Sequence, residues 1–177
     1  GSVQFVLAGA EKLPERLAAA FEDRFGLRPM EGYGTTETSP VVTINTRDFR
    51  SAGFRQVGAK RGSIGHPLPG MVARIVDPDT EAPVALGRAG LLLVKGPNVI
   101  QGYLGQAEKT AEVLRDGWYT TGDIAAMDAD GFLAITDRLS RFSKIGGEMV
   151  PHIKVEENLH ELAELTEQTF AVTGVPD

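Results

Sequence analysis

Cysteine is absent from the 177-residue chain, and tryptophan occurs once. Without cysteine the protein forms no disulfide, no thiolate zinc site and no thiol nucleophile. No apolar run approaches the ~20 residues that a membrane-spanning helix needs. The chain also does not begin with a basic segment, an apolar stretch and a small-residue cleavage site, so we expect neither a signal peptide nor a membrane-spanning segment.

Basic residues are outnumbered, 18 against 24 acidic ones, which gives a net charge of −6. This balance argues against broad binding to a nucleic-acid backbone, and we predict no nucleic-acid partner. One stretch, 47–61, is basic although the chain is acidic, because Asp48 is its only acid. Such a run usually forms a solvated loop, and a phosphate-bearing partner is the alternative. Its cations are Arg47, Arg50, Arg55, Lys60 and Arg61.

The first third of the sequence predicts an α/β unit. Residues 3–7 read as a short buried strand, and 41–44 as another. Between them a helix is predicted to open at Pro14 and to end at Gly26, a typical C-terminal cap. Its apolar residues recur at every fourth position, which predicts one buried stripe. The stripe consists of Leu13, Leu17, Phe21 and Phe25.

From about residue 58 short apolar runs alternate with glycine, proline and aspartate. Strands are predicted at 71–76, 91–94, 124–127 and 132–136, with one helix at 107–114. This pattern favours a mostly antiparallel, barrel-like subdomain over about 58–136, attached to the α/β piece of about 1–57. A second domain is predicted for 140–177. Its helix opens at Pro151 with an apolar face of Val155, Leu159 and Leu162, and a strand is predicted at 170–173.

A glycine-rich octapeptide, 31–38, is the most informative motif. Gly32 and Gly34 permit close backbone approach, and Tyr33 offers a flat face to a purine. Its hydroxyls, on Thr35 and Thr36, can donate to phosphate. Glu37 is a hard oxygen ligand suited to Mg²⁺. The alternative is an ordinary polar turn after Pro29.

Two further clusters carry candidate chemistry. At 118–123 an aromatic pair leads through Gly122 to Asp123, whose carboxylate can accept two hydrogen bonds from ribose hydroxyls. An aromatic strand end closed by a turn is the alternative. At 137–151 three cations, Arg138, Arg141 and Lys144, precede a glycine pair, which suits either a phosphate-rich ligand or a solvated loop.

The order of these clusters resembles that of the adenylate-forming superfamily, which includes acyl-CoA synthetases, luciferases and peptide-synthetase adenylation domains. Residues 7–11 resemble the family's glycine-glycine-alanine turn beside adenine, and 32–37 its tyrosine-glycine-x-threonine-glutamate motif. Residues 63–70, 96–103 and 116–123 resemble later blocks in the family's order. The implied fold is a piece of the acyl-CoA synthetase-like fold, with residues 1–139 ending its large domain and 140–177 beginning its small one.

The resemblance implies roles for individual residues in binding ATP or AMP with Mg²⁺. Gly9 and Ala10 would lie beside adenine, together with the motif residues Gly32, Gly34 and Thr35. Tyr33 would stack on the adenine, Thr36 would bond the α-phosphate and Glu37 would hold the metal. Asp123 and Arg138 would bind the ribose. Ser140 would be the hinge, Lys144 would face the site during thioester formation, and Gly146 and Gly147 would line the thiol tunnel.

The connector 139–154 is similar to one branch, the synthetase part of bifunctional acyl-ACP synthetase/2-acylglycerophosphoethanolamine acyltransferases. Its marker is the sequence Pro151-His152-Ile153-Lys154. The branch implies a fatty acid substrate, coenzyme A or acyl carrier protein as acceptor, and a cytoplasmic protein that associates with the inner membrane. The acyl acceptor stays open between the two.

Two parts that the family carries are missing from this sequence. It contains no glycine-rich phosphate loop ending in Gly-Lys, and no match to the family's C-terminal adenylation lysine. We therefore expect a piece of a longer ligase that forms no adenylate alone. The alternatives are a non-catalytic nucleotide-binding module and a module that docks an acidic carrier protein through one of its basic runs.

Overall fold

A computed structural model describes residues 3–145, 148–163 and 169–175. It contains three α-helices and thirteen short strands among these residues. The helices are α1 (Glu15–Phe25), α2 (Ala107–Val113) and α3 (His152–Leu162). The strands are β1 (Leu7–Ala8), β2 (Met30–Tyr33), β3 (Thr43–Ile44), β4 (Phe49–Ser51), β5 (Phe54–Gln56), β6 (His66–Pro67), β7 (Val72–Val76), β8 (Gly90–Lys95), β9 (Leu114–Arg115), β10 (Trp118–Met127), β11 (Leu133–Arg138), β12 (Phe142–Ile145) and β13 (Glu148–Pro151).

Two sheets make up most of the fold. The first has the order β1-β2-β3-β6, with β1 parallel to β2 and the other neighbours antiparallel. Helix α1 connects the parallel pair, as a parallel connection requires. The second sheet is antiparallel, with the order β11-β10-β8-β7, and β9 pairs with the start of β10. The predicted fold class, α/β with a β-rich part, is confirmed.

One hydrophobic core joins the two sheets. Val42, from the first sheet region, clusters with Leu92, Val94 and Tyr119 of the second sheet and with Leu133. The backbone adds a bridge, because Gly65 pairs with Leu133 across the boundary. The α/β piece and the β-rich piece therefore pack as one body.

Helix α1 ends as the sequence predicts, but its predicted buried stripe is wrong. Gly26 is left-handed, with φ 67°, and its N–H bonds the carbonyl of Glu22. The side that packs is marked by Ala18, which is buried. Leu17 and Phe25 are nevertheless 56% and 57% exposed. Apolar residues at every fourth position indicate an apolar stripe, but they do not indicate which element packs against it.

Strand predictions succeed in the second sheet and fail at the chain's two edges. All four predicted strands of the β-rich part are present. Strand β10 begins six residues before its predicted start, and the register shift between Thr120 and Ile124 accommodates Gly122 within it. The buried strand predicted at 3–7 is wrong, because the observed strand is Leu7–Ala8 and Val3, Phe5 and Leu7 are exposed. Residues 170–173 form no strand, and Val172 instead donates its N–H to a side chain of α3.

The inward face of α3 is polar rather than apolar. His152 and Glu156 are buried, whereas the predicted face residues Leu159 and Leu162 are exposed. Glu156 accepts a 2.6 Å ion pair from Arg141, and His152 lies 2.7 Å from the hydroxyl of Ser143. Burial of these polar groups is possible because each has a partner.

Among the described residues, no helix is both long and apolar enough to cross a bilayer.

Candidate functional site

A cavity of about 330 Å³ opens beside the glycine-rich turn that follows β2. The loop after β1 forms one wall, and the adjoining ends of β10 and β11 form the opposite wall. Several residues that the sequence singled out over long separations line it together. They are Ala10, Gly32, Tyr33, Gly34, Thr35, Asp123 and Arg138.

Asp123 is the centre of this cluster. It is 4% exposed and pairs with Arg138 in the antiparallel register of β10 and β11. Arg138 places its Nε 3.2 Å from Oδ1, and the hydroxyl of Tyr33 donates a 2.5 Å hydrogen bond to Oδ2. Burial and the nearby charge of Asp123 raise the pKa of the Tyr33 phenol well above its usual value. The phenol therefore stays a donor, and the carboxylate keeps lone pairs free to accept ligand hydroxyls.

The turn that begins at Gly34 is held tightly by its own residues. A Cβ on Gly34 would lie 1.7 Å from the carbonyl oxygen of Pro40, so no other residue fits there. The N–H of Thr35 donates a 2.9 Å bond to the hydroxyl of buried Thr38. Thr36 begins a single 3₁₀ turn, and its side chain is exposed, free to meet a ligand.

Glu37 lies in that 3₁₀ turn and is fixed from the loop after β8. The hydroxyl of Tyr103 donates a 2.9 Å hydrogen bond to its Oε1, and the N–H of Ile100 bonds its carbonyl at 2.8 Å. Burial raises the pKa of Glu37, but hydrogen bonds from its own backbone and from Tyr103 outweigh this, so the pKa is lowered overall. Glu37 is therefore a carboxylate at neutral pH.

Asn98, in the loop after β8, holds the same turn in place. Its amide nitrogen donates to the carbonyl oxygens of Thr38, at 2.7 Å, and Val41, at 2.8 Å. These bonds hold the segment from the last residue of the 3₁₀ turn to Val41. The position of Glu37 is thus set by three residues from the 98–103 loop.

The donor set fits a magnesium ion shared with phosphates rather than a metal enclosed by protein. The described residues contain no group of three or more His, Cys, Asp or Glu that could hold a metal ion. Glu37 offers a single carboxylate with one oxygen engaged by Tyr103. Mg²⁺ is commonly bound by one or two carboxylates together with substrate phosphates, and Glu37 suits that arrangement.

The loop after β1 brings the other predicted residues to the cavity rim. Ala10 lines it in a left-handed conformation, with φ 72°. Gly9 lies against β2, where a Cβ would meet the carbonyl of Gly32 at 3.5 Å, an ordinary contact. The backbone here approaches the cavity closely without requiring glycine at position 9.

The connector to α3 is tied back to the cavity by Asp137, which is buried. Its Oδ2 accepts the N–H of Ile153 in the first turn of α3, at 2.9 Å, and its Oδ1 accepts the N–H of Arg138 at 2.8 Å. The predicted hinge residue, Ser140, lies between them in the 3₁₀ turn Leu139–Arg141. One carboxylate therefore connects the two sides of the predicted hinge.

The remaining predicted residues lie beyond this cluster. Lys144 belongs to β12 and pairs in register with position 149 of β13. Gly146 and Gly147 lie outside the described residues. Some cations of the basic runs are paired with carboxylates: Lys60 bonds Asp128 and Asp130, Arg55 bonds Asp48, and Arg141 bonds Glu156.

Sequence reasoning missed Tyr103, Asn98 and Asp137. The first two stand in the block 96–103, which carries the family resemblance but received no role of its own. Asp137 directly precedes Arg138 and was included only as the start of a basic run. The signal for Asn98 and Tyr103 was the family resemblance of their block, and the signal for Asp137 was its place beside Arg138.

The α/β unit shares one core with the antiparallel sheet, and its glycine-rich turn faces the cluster of Tyr33, Asp123 and Arg138. This is the arrangement of adenylate-forming enzymes. The model of the AMP-binding enzyme family matches residues 1–104, more than half of the chain. The chain belongs to this family.

Relatives and solved structures agree with this assignment. The chain is 40% identical over 176 residues to a feruloyl-CoA synthase of an Amycolatopsis species, covering 99% of the chain and 34% of that protein. It is 39% identical over 176 residues to a long-chain-fatty-acid–CoA ligase of Bacillus subtilis, covering 99% of the chain and 30% of that protein. The amide bond synthetase McbA of Marinactinospora thermotolerans superposes with a TM-score of 0.80 at 32% identity, over 98% of the chain and 34% of that structure. The anthranilate CoA ligase AuaEII, solved with anthranoyl-AMP, gives 0.78 at 28% identity, over 96% of the chain and 30% of that structure.

The chain spans about a third of the length of these relatives. Several of them are acyl-CoA ligases, so the homologues as a group point to ligase chemistry.

Proposed function

We propose that the chain is part of an ATP-dependent acid–thiol ligase that activates a fatty acid as its acyl-adenylate. The observation that carries this proposal is the buried Asp123 carboxylate, held by Tyr33 and Arg138 at the rim of the cavity. A fixed carboxylate acceptor beside an aromatic ring suits a nucleoside, whose sugar offers vicinal hydroxyls and whose base offers a flat face.

Each predicted nucleotide-binding residue has a defined task in this proposal. Asp123 and Arg138 bind the ribose, and the Tyr33 ring packs on the adenine, with Gly9, Ala10, Gly32 and Gly34 giving the backbone room to approach. Thr36 presents its exposed hydroxyl to the α-phosphate, and Thr35 forms the turn that carries it. Glu37 would hold Mg²⁺, which supplies charge neutralisation at the phosphates when bound.

The reaction proceeds in two substitutions. A carboxylate oxygen of the fatty acid attacks the α-phosphorus of ATP, and pyrophosphate leaves with the bonding electron pair. A thiol then attacks the acyl carbonyl, loses its proton, and AMP leaves with the electrons of the broken acyl–oxygen bond. No side chain becomes covalently attached, so positioning and electrostatic stabilisation provide the catalysis.

The second substitution is assigned to residues after the hinge. In this proposal residues 1–139 end a large domain, and 140–177 begin a small one that reorients about Ser140 between the two steps. Lys144 faces the thioester-forming site, and Gly146 and Gly147 line the path of the thiol. Coenzyme A is the acceptor that the acyl-CoA ligase relatives favour.

The connector sequence 139–154 favours a narrower proposal. Its likeness to bifunctional acyl-ACP synthetase/2-acylglycerophosphoethanolamine acyltransferases points to acyl carrier protein as the acceptor and to phospholipid acylation as the use of the acyl group. A cytoplasmic protein at the inner membrane fits that role. Competition between coenzyme A and acyl carrier protein, assayed in a longer protein that contains this chain, decides between the acceptors.

We further propose that the chain alone binds nucleotide but makes no adenylate, because it contains neither the glycine-rich phosphate loop nor the adenylation lysine. ATP–pyrophosphate exchange by the purified chain should be at background. Turnover above that of a Glu37→Gln variant would overturn this part of the proposal.

Calorimetry with AMP tests the nucleotide site itself. The chain should bind AMP, and Asp123→Asn should weaken binding on the order of tenfold or more, because a charged acceptor of ribose hydrogen bonds is lost. Asp23→Asn, on the exposed face of α1, is the matched control and should leave AMP affinity unchanged. Equal affinity of the Asp123→Asn variant and the parent chain would overturn the site.

A further inference from the structure

An isolated β-hairpin, formed by β4 and β5, projects from the body of the molecule. Its two strands pair only with each other among the described residues, and the turn between them has Gly53 at φ 74°. Every residue from 46 to 57 is exposed. The base is fixed, because Asp48 bonds both the N–H of Gly58, at 3.1 Å, and Arg55, at 2.8 Å.

One face of this hairpin is aromatic. The register pairs Phe49 with Gln56 and Ser51 with Phe54, which places the two phenylalanines on the same face. Their ring centroids lie 6.2 Å apart, and the side chains are 57% and 55% exposed. Val57, also exposed, follows directly. The rings leave apolar surface in water on a two-stranded ribbon, which is a marginally stable structure by itself.

The opposite face carries arginines in an arrangement that is unfavourable without an anion. Arg50 and Arg55 are directly paired across the strands, where like charges destabilise a sheet. Arg55 bonds Asp48, but no carboxylate in the described part of the chain forms an ion pair with Arg50. The hairpin thus presents uncompensated positive charge on a chain whose net charge is −6.

We propose that this hairpin docks on an anionic phospholipid surface. The two phenyl rings enter the boundary between headgroups and acyl chains, and the long arginine side chains reach from the edges to lipid phosphates. Exposed phenyl rings on one face and arginines on the other form the amphipathic pattern of segments that lie in the lipid interface, which favours a lipid surface over an acidic protein. The proposal does not depend on nucleotide binding or on the identity of the acyl substrate.

Sedimentation with lipid vesicles tests the proposal directly. The chain should pellet with vesicles of phosphatidylcholine and phosphatidylglycerol, bind pure phosphatidylcholine weakly, and lose binding as salt is raised. Arg50→Glu with Arg55→Glu should lower the partition coefficient on the order of tenfold or more. Phe49→Ser with Phe54→Ser should lower it on the order of tenfold.

The matched control is an equally exposed aromatic–basic pair elsewhere on the surface. Phe25 is 57% exposed and has Arg24 over its ring, so Phe25→Ser with Arg24→Glu changes the same residue types on α1. This control should bind vesicles like the parent chain. Far-ultraviolet circular dichroism and urea unfolding establish that each variant is folded.

Ring insertion has a readout of its own. Phe54→Trp in a Trp118→Phe background should give a blue-shifted emission with anionic vesicles, quenched by lipids brominated near the headgroup. Three results would overturn the proposal: no sedimentation with anionic vesicles, full binding by both hairpin variants, or an equal loss in the α1 control. Capture of an acidic carrier protein by the hairpin, without vesicle binding, would also overturn it.

Discussion

The hydroxyl of Tyr33 donates a 2.5 Å hydrogen bond to the carboxylate of Asp123, although 90 positions separate the two residues. Tyr33 ends a strand of the first sheet, and Asp123 lies in the second sheet, where two register shifts interrupt β10. The bond therefore crosses between the sheets at the cavity. It fixes the orientation of both the ring and the carboxylate before any ligand arrives.

All three tyrosines of the chain are held as neutral phenols, which predicts an alkaline loss of stability. Burial, followed by nearby carboxylates, raises the pKa of Tyr33 and Tyr119, and it raises the pKa of Tyr103 to about 12. Unfolded tyrosine ionises near 10.0. The folded chain therefore binds more protons above pH 10. The tyrosine contribution to its free energy of unfolding should be fully present below that pH and should fall as the pH rises toward 12.

Spectroscopic titration of tyrosinate measures this directly. The folded chain should show no tyrosine ionising near its ordinary pKa, whereas the urea-unfolded chain should show all three. Tyr103→Phe should remove the transition near 12 and leave the others. A folded chain with a tyrosine that titrates at its ordinary value would contradict the buried, carboxylate-facing geometry.

The second sheet was predictable because its signals are local. Alternating apolar runs separated by Asp-Gly and Asp-Pro turns specify strands wherever neighbours can pair. Gly34 is set by its turn alone, since a Cβ would meet Pro40. The motif residues Tyr33 and Asp123 could be placed together only through family resemblance, because their contact is long-range.

The failures share a different cause. Leu17 and Phe25 form an apolar stripe that the described chain leaves exposed, and α3 packs through His152 and Glu156 instead. Packing partners decide which face of a helix is buried, and periodicity carries no information about them. The polar face of α3 can be buried because Arg141 and Ser143, on the connector, are the partners of Glu156 and His152.

Glu37 should control the effect of magnesium on ATP affinity. In the parent chain calorimetry should show tighter ATP binding with Mg²⁺ than without it. Glu37→Gln keeps an oxygen for the Tyr103 hydroxyl but loses the charge, so the magnesium effect should fall on the order of tenfold. Glu108→Gln, exposed in the first turn of α2, should retain the full effect. An undiminished magnesium effect in the Glu37→Gln variant would remove the metal role from this residue.

Asp137 should stabilise the junction between β11 and α3. Asp137→Ala leaves the N–H groups of Ile153 and Arg138 without their acceptor and should lower the free energy of unfolding by about 2 kcal/mol. Urea denaturation measures this loss, and trypsin should cut faster after Arg138 and Arg141 in the variant. Asp23→Ala, on the exposed face of α1, should change the stability by less than about 0.5 kcal/mol. Equal stability of the two variants would show that Asp137 does not cap α3.

Gly34 should tolerate no side chain, in contrast to the neighbouring Gly9. In Gly34→Ala the new Cβ would lie 1.7 Å from the carbonyl oxygen of Pro40, so the turn must move and the free energy of unfolding should fall by about 3 kcal/mol. Gly9→Ala meets only an ordinary contact with Gly32 and should lose less than about 1 kcal/mol. Urea denaturation compares the two. Because the turn carries Thr35 and Glu37, AMP affinity should fall in Gly34→Ala even at temperatures where the variant remains folded.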